Sequence, residues 1–138
     1  MTASIHRSLL LLTGAALVFI GVTYCIDPNL LLARYDLVVS NASEDNMYRG
    51  AYGGLFIAVG AAIAYGFFAP SFRQVATLVA ALFMGGFALG RLSSLFMVGM
   101  PHDLIVALLG LEVVSTVVFA GFFYTQSKAV ADGVMRAA

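Results

Sequence analysis

Two charged side chains stand inside long apolar runs of this chain. Arg91 lies about two turns before the end of the run 72–98, and Glu112 lies near the middle of the run 102–124. A charge in a membrane helix costs at least about 2.5–3.5 kcal/mol on insertion scales, so each needs a physical reason to be there. The midpoint of positions 91 and 112 falls between Pro101 and His102, where Gly99-Met100-Pro101 breaks the helical pattern. In an antiparallel hairpin, residues equidistant from the turn share a depth. Arg91 and Glu112 are therefore expected side by side in the outer half of the bilayer, where a charge-assisted pair offsets much of their cost.

Arg49 sits one turn inside another apolar run on the same side. Polar residues accompany all three charges at helical spacing: Tyr52 at i+3 from Arg49, Ser94 at i+3 from Arg91, and Ser115 and Thr116 at i+3 and i+4 from Glu112. The expected cluster is Arg49, Tyr52, Arg91, Ser94, Glu112 and Ser115. Three uses are open. The pair could fix helix register. Two arginines against one glutamate could make a pocket with surplus positive charge for a carboxylate, a phosphate or a lipid headgroup. Glu112 could carry a proton, although a lone pair without a polar path on both sides argues against a pump.

The elements that must hold these residues follow from composition. Of 138 residues, 62% are hydrophobic and 10% charged, against roughly 45–50% and about 25% in soluble domains. That deficit of charge excludes a soluble domain, and zero net charge excludes a strongly basic nucleic-acid-binding surface. Spans of about 20 apolar residues are expected over 8–26, 47–69, 72–98 and 102–124, within a single domain over 1–138. The class is all-α: an integral membrane four-helix bundle with short loops. His6 and Arg7 precede the first run as in a signal peptide, but the run is long for one and no A-x-A site follows, so a retained helix is expected. Ser71 and Gln74 read as a capping box for the third span, and Pro101 suits the first position of the fourth.

Basic residues orient the spans. Arg7, Arg73, Lys128 and Arg136 flank one side; Arg34, Arg49 and most of the acidic residues flank the other. Both termini are therefore expected in the cytoplasm. The outer loop Asp27–Asn46 opens on Asp27-Pro28, and Leu30, Leu31, Leu32 and Tyr35 suit a short helix lying on the interface. Asn41-Ala42-Ser43 matches a glycosylation sequon, and without other signs of a eukaryotic secretory context chance occurrence is favoured. One cysteine and two distant histidines give no metal spacing, so neither a metal nor a cofactor is expected.

Helices in lipid associate through small residues. The second span carries them at every fourth position, Gly50, Gly54, Ala58, Ala62 and Gly66, and the third span carries Gly86, Gly90 and Ser94. These stripes are expected to be packing faces, against each other or against another protomer.

Taken in order, Tyr48-Arg49-Gly50-Ala51-Tyr52-Gly53-Gly54, Gly90-Arg91-Leu92-Ser93-Ser94, Gly99-Met100-Pro101 and Glu112 resemble an uncharacterised family of small bacterial four-helix membrane proteins, a domain of unknown function. Its layout is similar to that of DoxX-like proteins. The resemblance implies a four-helix bundle in a bacterial inner membrane and no established reaction. DoxX chemistry on thiosulfate and quinones is not carried over, because the chain has no paired cysteines. The expected role is non-enzymatic: an accessory subunit or small homo-oligomer among membrane lipids, with no nucleic-acid partner. The alternative is binding or transport of a small anionic or lipid-like ligand at Arg49, Arg91 and Glu112. A lipid- or quinone-modifying enzyme is the weakest reading, since no nucleophile motif or phosphate loop is present.

Overall fold

The computed structural model describes residues 2–137, with side-chain surroundings over 3–132, and every regular element among them is helical. Met1, Ala138 and the side chain of Arg136 lie outside the described residues. In order, the elements are α1 (Thr2–Ile26), α2 (Asn29–Leu32), a 3-10 turn (Ala33–Tyr35), α3 (Ala42–Tyr48), a π-helical segment (Arg49–Gly54), α4 (Leu55–Phe68), a 3-10 turn (Pro70–Phe72), α5 (Arg73–Val98) and α6 (Asp103–Ala137). Four stretches are long and apolar enough to cross a membrane: Ala3–Ile26, Ala42–Phe68, Pro70–Val98 and Asp103–Asp132. The protein is thus a multi-pass membrane protein built as four spanning helices.

The span ends differ from expectation for local reasons. The first span includes His6, which is only 5% exposed. The second starts at Ala42 rather than 47, because Asn41 caps it: its side-chain oxygen accepts from the N–H groups of Ser43 and Glu44, both at 3.0 Å. Glu44 reaches back to the N–H of Ser40 at 2.8 Å and to the amide of Asn41 at 2.9 Å. The asparagine of the sequon is therefore a helix cap.

The capping box expected at Ser71 and Gln74 does not form. Pro70 forces Ala69 into an extended conformation, α5 begins at Arg73, and Gln74 bonds instead across to Ser127 of α6 at 3.0 Å. Pro101 lies outside the fourth helix. His102 caps that helix, with its Nδ1 accepting from the N–H of Leu104 at 3.2 Å. Gly99, at φ 112°, makes the break before it. The fourth helix continues beyond the span expected to end at 124, as a helical extension through the tail after Lys128 to Ala137; at 1.5 Å per residue it is about 52 Å long, against a hydrocarbon core of about 30 Å.

In the loop Asp27–Asn46, α2 and the turn after it form the short helix expected from Leu30, Leu31, Leu32 and Tyr35. Leu32 is buried and Leu30 exposed. Asp27 accepts from the N–H of Asn29 at 2.9 Å, and Asn29 accepts from the N–H of Val39 at 2.9 Å, which folds the loop back on itself.

The helices pack mainly in chain order, and α1 also touches α6 where His6 meets Phe122 and Gln126. The closest contact is α1 on α4, then α5 on α6, with α4 on α5 between them. Leu10, Leu17, Phe56, Ile63, Ala76, Ala80 and Phe119 form the buried core.

Within the chain the small-residue stripes, apart from Gly66, are not packed against a neighbouring helix. A Cβ at Gly50, Gly86 or Gly90 would meet nothing within 4 Å, and one at Gly54 would meet only the Arg49 carbonyl, at 3.9 Å. Ala58 is exposed and Ala62 half-buried; of the stripe only Gly66 is buried, against Ala76. The reason is geometric. Each four-residue step overshoots a turn by about 40°, so a strict period of four winds around the helix rather than down one face. The π segment, whose last bond joins the N–H of Leu55 to the Gly50 carbonyl, breaks the register further.

The true seam pairs Gly14 with Gly60 and Gly21 with Gly53. A Cβ at Gly60 would lie 2.7 Å from the Gly14 carbonyl, and one at Gly21 would lie 2.7 Å from the Gly53 carbonyl. Each helix carries its two glycines seven residues apart, two turns along one face.

Gly60→Val should lower stability in detergent by about 1–3 kcal/mol through overpacking. Gly86→Ala should stay within about 0.5 kcal/mol of the parent. Thermal unfolding of both variants checks this; equal losses at the two positions would remove the seam assignment.

Candidate functional site

Arg91 and Glu112 are paired across the α5–α6 hairpin. The Nε–H of Arg91 lies 2.9 Å from Oε1 and 2.9 Å from Oε2 of Glu112. One donor is thus shared between two acceptors, which is not the parallel two-bond fork that arginine can form with a carboxylate. The glutamate side chain is 11% exposed and the arginine side chain 26%. Guanidinium carries five N–H donors, and among the described residues the terminal nitrogens of Arg91 have no hydrogen-bond partner. They are not sealed in the core either. The Phe87 ring lies 6.0 Å from the guanidinium carbon.

A groove of about 650 Å³ opens beside the pair. Arg91, Ser94, Gly86 and Gly90 line one wall and Tyr52 another, with Pro101 at the hairpin turn. Gly86 and Gly90, expected to pack against a helix, instead line this groove. Tyr52 is held within an aromatic stack that runs from Tyr24 and Tyr48 through Tyr52 to Phe56 and Phe87. The π segment presents Tyr52 to the groove and Gly53 to α1.

Two residues of the expected cluster are elsewhere. Arg49 does not reach the pair. Its Nε donates to Asp45, one turn earlier, at 2.7 Å, and its Nη1 donates to the carbonyls of Cys25 and Ile26, the latter at 3.2 Å. A nearby acid and the unsatisfied carbonyls ending α1 compete for it locally. Ser115 lines neither this groove nor the second cavity described below. Its neighbour Thr116 takes the inner position, donating to the Glu112 carbonyl at 2.7 Å. Losing Arg49 changes the electrostatics: the site holds one arginine and one glutamate, and the expected positive surplus is gone.

A second polar cluster lies at the opposite end of the bundle. Thr77 gives its single hydroxyl proton to the Arg73 carbonyl at 2.7 Å. His6 Nε2, 2.9 Å from the same oxygen, must therefore donate to it. That leaves Nδ1 of neutral His6 as the acceptor for the amide of Gln126 at 3.1 Å. Phe122 stacks on the imidazole at 4.3 Å. A cavity of about 920 Å³ adjoins this network, with His6, Arg73, Gln74 and Gln126 in its wall. A depth comparison could have found it, since residues 6, 77 and 126 each lie near the same end of their spans.

Fold and site together define a four-span membrane protein with an intramembrane ion pair beside a lateral groove. The chain belongs to the family described as a domain of unknown function, DUF4345, which it matches over residues 5–123. Comparison with curated proteins and with solved structures finds no match in either. The family span contains the glycine seam, the ion pair and the groove, and stops just short of Gln126.

Glu112→Gln should lower stability by about 1–3 kcal/mol by leaving Arg91 without its carboxylate. Replacing both residues by methionine should recover most of that loss. Denaturation of the single and double variants measures the coupling; strictly additive losses would mean the pair contributes nothing as a pair.

Proposed function

We propose that the protein is a non-enzymatic binding protein of the bacterial inner membrane, with a layout like that of DoxX-like proteins and both termini in the cytoplasm. Its ligand is an uncharged or zwitterionic amphiphile, held in the groove by ester or hydroxyl oxygens on Arg91. One observation carries this reading. Arg91 meets Glu112 through Nε alone, which leaves its other donors facing an apolar-walled groove. At about 650 Å³ the groove falls within the usual 300–1,000 Å³ of ligand sites. Because the pair is neutral overall, a hydrogen-bond acceptor suits it better than a full anion. Glu112 is paired with Arg91 and is not among the residues lining the groove, which favours binding over catalysis.

An accessory or homo-oligomeric role is the second reading. It is supported by the broad apolar face of α6, where Leu111, Val114 and Val117 are each more than 60% exposed, and by the uncovered glycines of α5. Lipid covers such a face equally well, so the groove carries the first reading further.

Purified protein incubated with dioleoylglycerol and oleate should retain dioleoylglycerol preferentially in native mass spectrometry. Arg91→Gln should abolish retention, and Glu112→Gln, which leaves a lone cation, should turn the preference toward oleate. Unchanged retention in Arg91→Gln would end the proposal, and the same spectra report protomer number. For orientation, a reporter active only outside the cytoplasm should be active when fused at Ser40 and silent at the C-terminus. The same activity at both sites would overturn the four-span orientation.

A further inference from the structure

The cavity beside His6 differs in charge from the groove at Arg91. None of the described residues lining it is acidic, and Arg73 supplies its one full positive charge. Arg73 is anchored by Nε, which donates to the Gly66 carbonyl near the end of α4 at 3.1 Å. Among the described residues its terminal nitrogens have no partner, and they are not enclosed in the core. Gln74 and Ser71 stand beside it in the cavity wall, and Val117, Val118 and Val130 of α6 give the opposite wall an apolar surface. The cavity therefore joins a fixed cation and neutral polar groups at the mouth of the bundle to an apolar slot along α6.

That combination matches one ligand chemistry: a phosphate oxyanion with hydrocarbon attached. Guanidinium suits phosphate through several parallel donors. The depth fits as well. Arg73 starts α5, so it stands at a membrane–water boundary; the Gln74–Ser127 bond sets the register, which places Val117 and Val118 deeper in the hydrocarbon region and Val130 near the level of Arg73. His6, tied to Thr77 and Gln126, forms a neutral back wall that fixes the spacing of α1, α5 and α6 there.

We infer that the Arg73 cavity is a binding site for an anionic phospholipid, separate from the Arg91 groove. In the orientation proposed above it opens to the cytoplasmic leaflet, where anionic lipids supply a negative surface. The two sites lie about 27 Å apart along α5, counting 1.5 Å per residue from Arg73 to Arg91, and they differ in net charge. One chain can thus hold two lipid-like molecules of different headgroup chemistry in opposite leaflets.

The test uses the full chain in nanodiscs of equal parts dioleoyl phosphatidylglycerol and dioleoyl phosphatidylcholine. Native mass spectrometry after release should find phosphatidylglycerol retained by the wild type, and retained in preference to phosphatidylcholine in Arg91→Gln, where the groove is disabled. Arg73→Gln should reduce that retention about tenfold or more, the equivalent of a lost charge-assisted bond. Arg73 also caps α4, so a second variant guards against misfolding. Gly121 lines the slot and has no neighbour within 4 Å of a Cβ placed on it; Gly121→Leu should fill the slot and reduce retention with the Arg73 cap intact. Arg91→Gln should leave phosphatidylglycerol retention unchanged, which separates this site from the groove. Equal retention of the two lipids once the groove is disabled by Arg91→Gln, or wild-type phosphatidylglycerol retention in Gly121→Leu, would overturn the inference. So would Arg73-dependent retention of inorganic phosphate without lipid preference, which would assign the site to a soluble anion.

Discussion

Lipid tails solvate leucine as well as another helix does, so burying leucine gives a spanning helix little reason to choose a partner. What holds this bundle is close backbone approach. Gly14 against Gly60 and Gly21 against Gly53 bring α1 and the second span so near that a single methyl group would collide with backbone atoms. The contact fixes two helices along two turns, and the rest is set relative to it. It places the end of α1 within reach of Arg49. It brings Tyr24 beside Tyr48 and Tyr52, which starts the aromatic stack leading to the groove. At the other end it presents His6 to the third and fourth spans.

The three arginines that organise the bundle share a mode of attachment. Arg49 uses Nε on Asp45, Arg73 uses Nε on the Gly66 carbonyl, and Arg91 uses Nε on Glu112. In each case the attachment fixes the side chain and leaves the terminal nitrogens for other work. Arg49 uses one of them to satisfy the carbonyls that end α1, so its charge is absorbed by a helix terminus. Arg73 and Arg91 each line a cavity, and their terminal nitrogens have no partner among the described residues. The two sites differ in net charge: a carboxylate is paired with Arg91, and none of the described residues lining the cavity at Arg73 is acidic.

The spans and the Arg91–Glu112 pair were legible because both depend on one-dimensional quantities, the length of apolar runs and the distance of each charge from the hairpin turn. The same arithmetic would have found the seam, since 14 and 60 have the same sum as 21 and 53, as expected for an antiparallel pair. Reading period four as one face hid it, because the helix drifts at each step and the π segment adds its own offset. Arg49 was misplaced for a different reason: sequence showed its depth but not the competing carbonyls of α1, which only the loop geometry brings near. The His6 cluster draws on three helices. None of its members is unusual in its own span, so nothing local marked it. Asn41 shows the reverse case, a motif legible as a modification signal whose physical role is to begin a helix.

The ion pair has a consequence for how the chain is made. Its partners are 21 residues apart, so at 5–20 residues per second Arg91 leaves the ribosome about 1–4 s before Glu112 exists. During that interval the third span has only an unpaired cation to offer the bilayer. Its insertion alone carries a cost of a few kcal/mol, which the fourth span removes on arrival. The first two spans have no such dependence, since their glycine seam is complete once Ile63 and its neighbours have emerged. The protein therefore assembles in two instalments: a first hairpin that can seat itself at once, and a second that gains by entering the membrane as a unit.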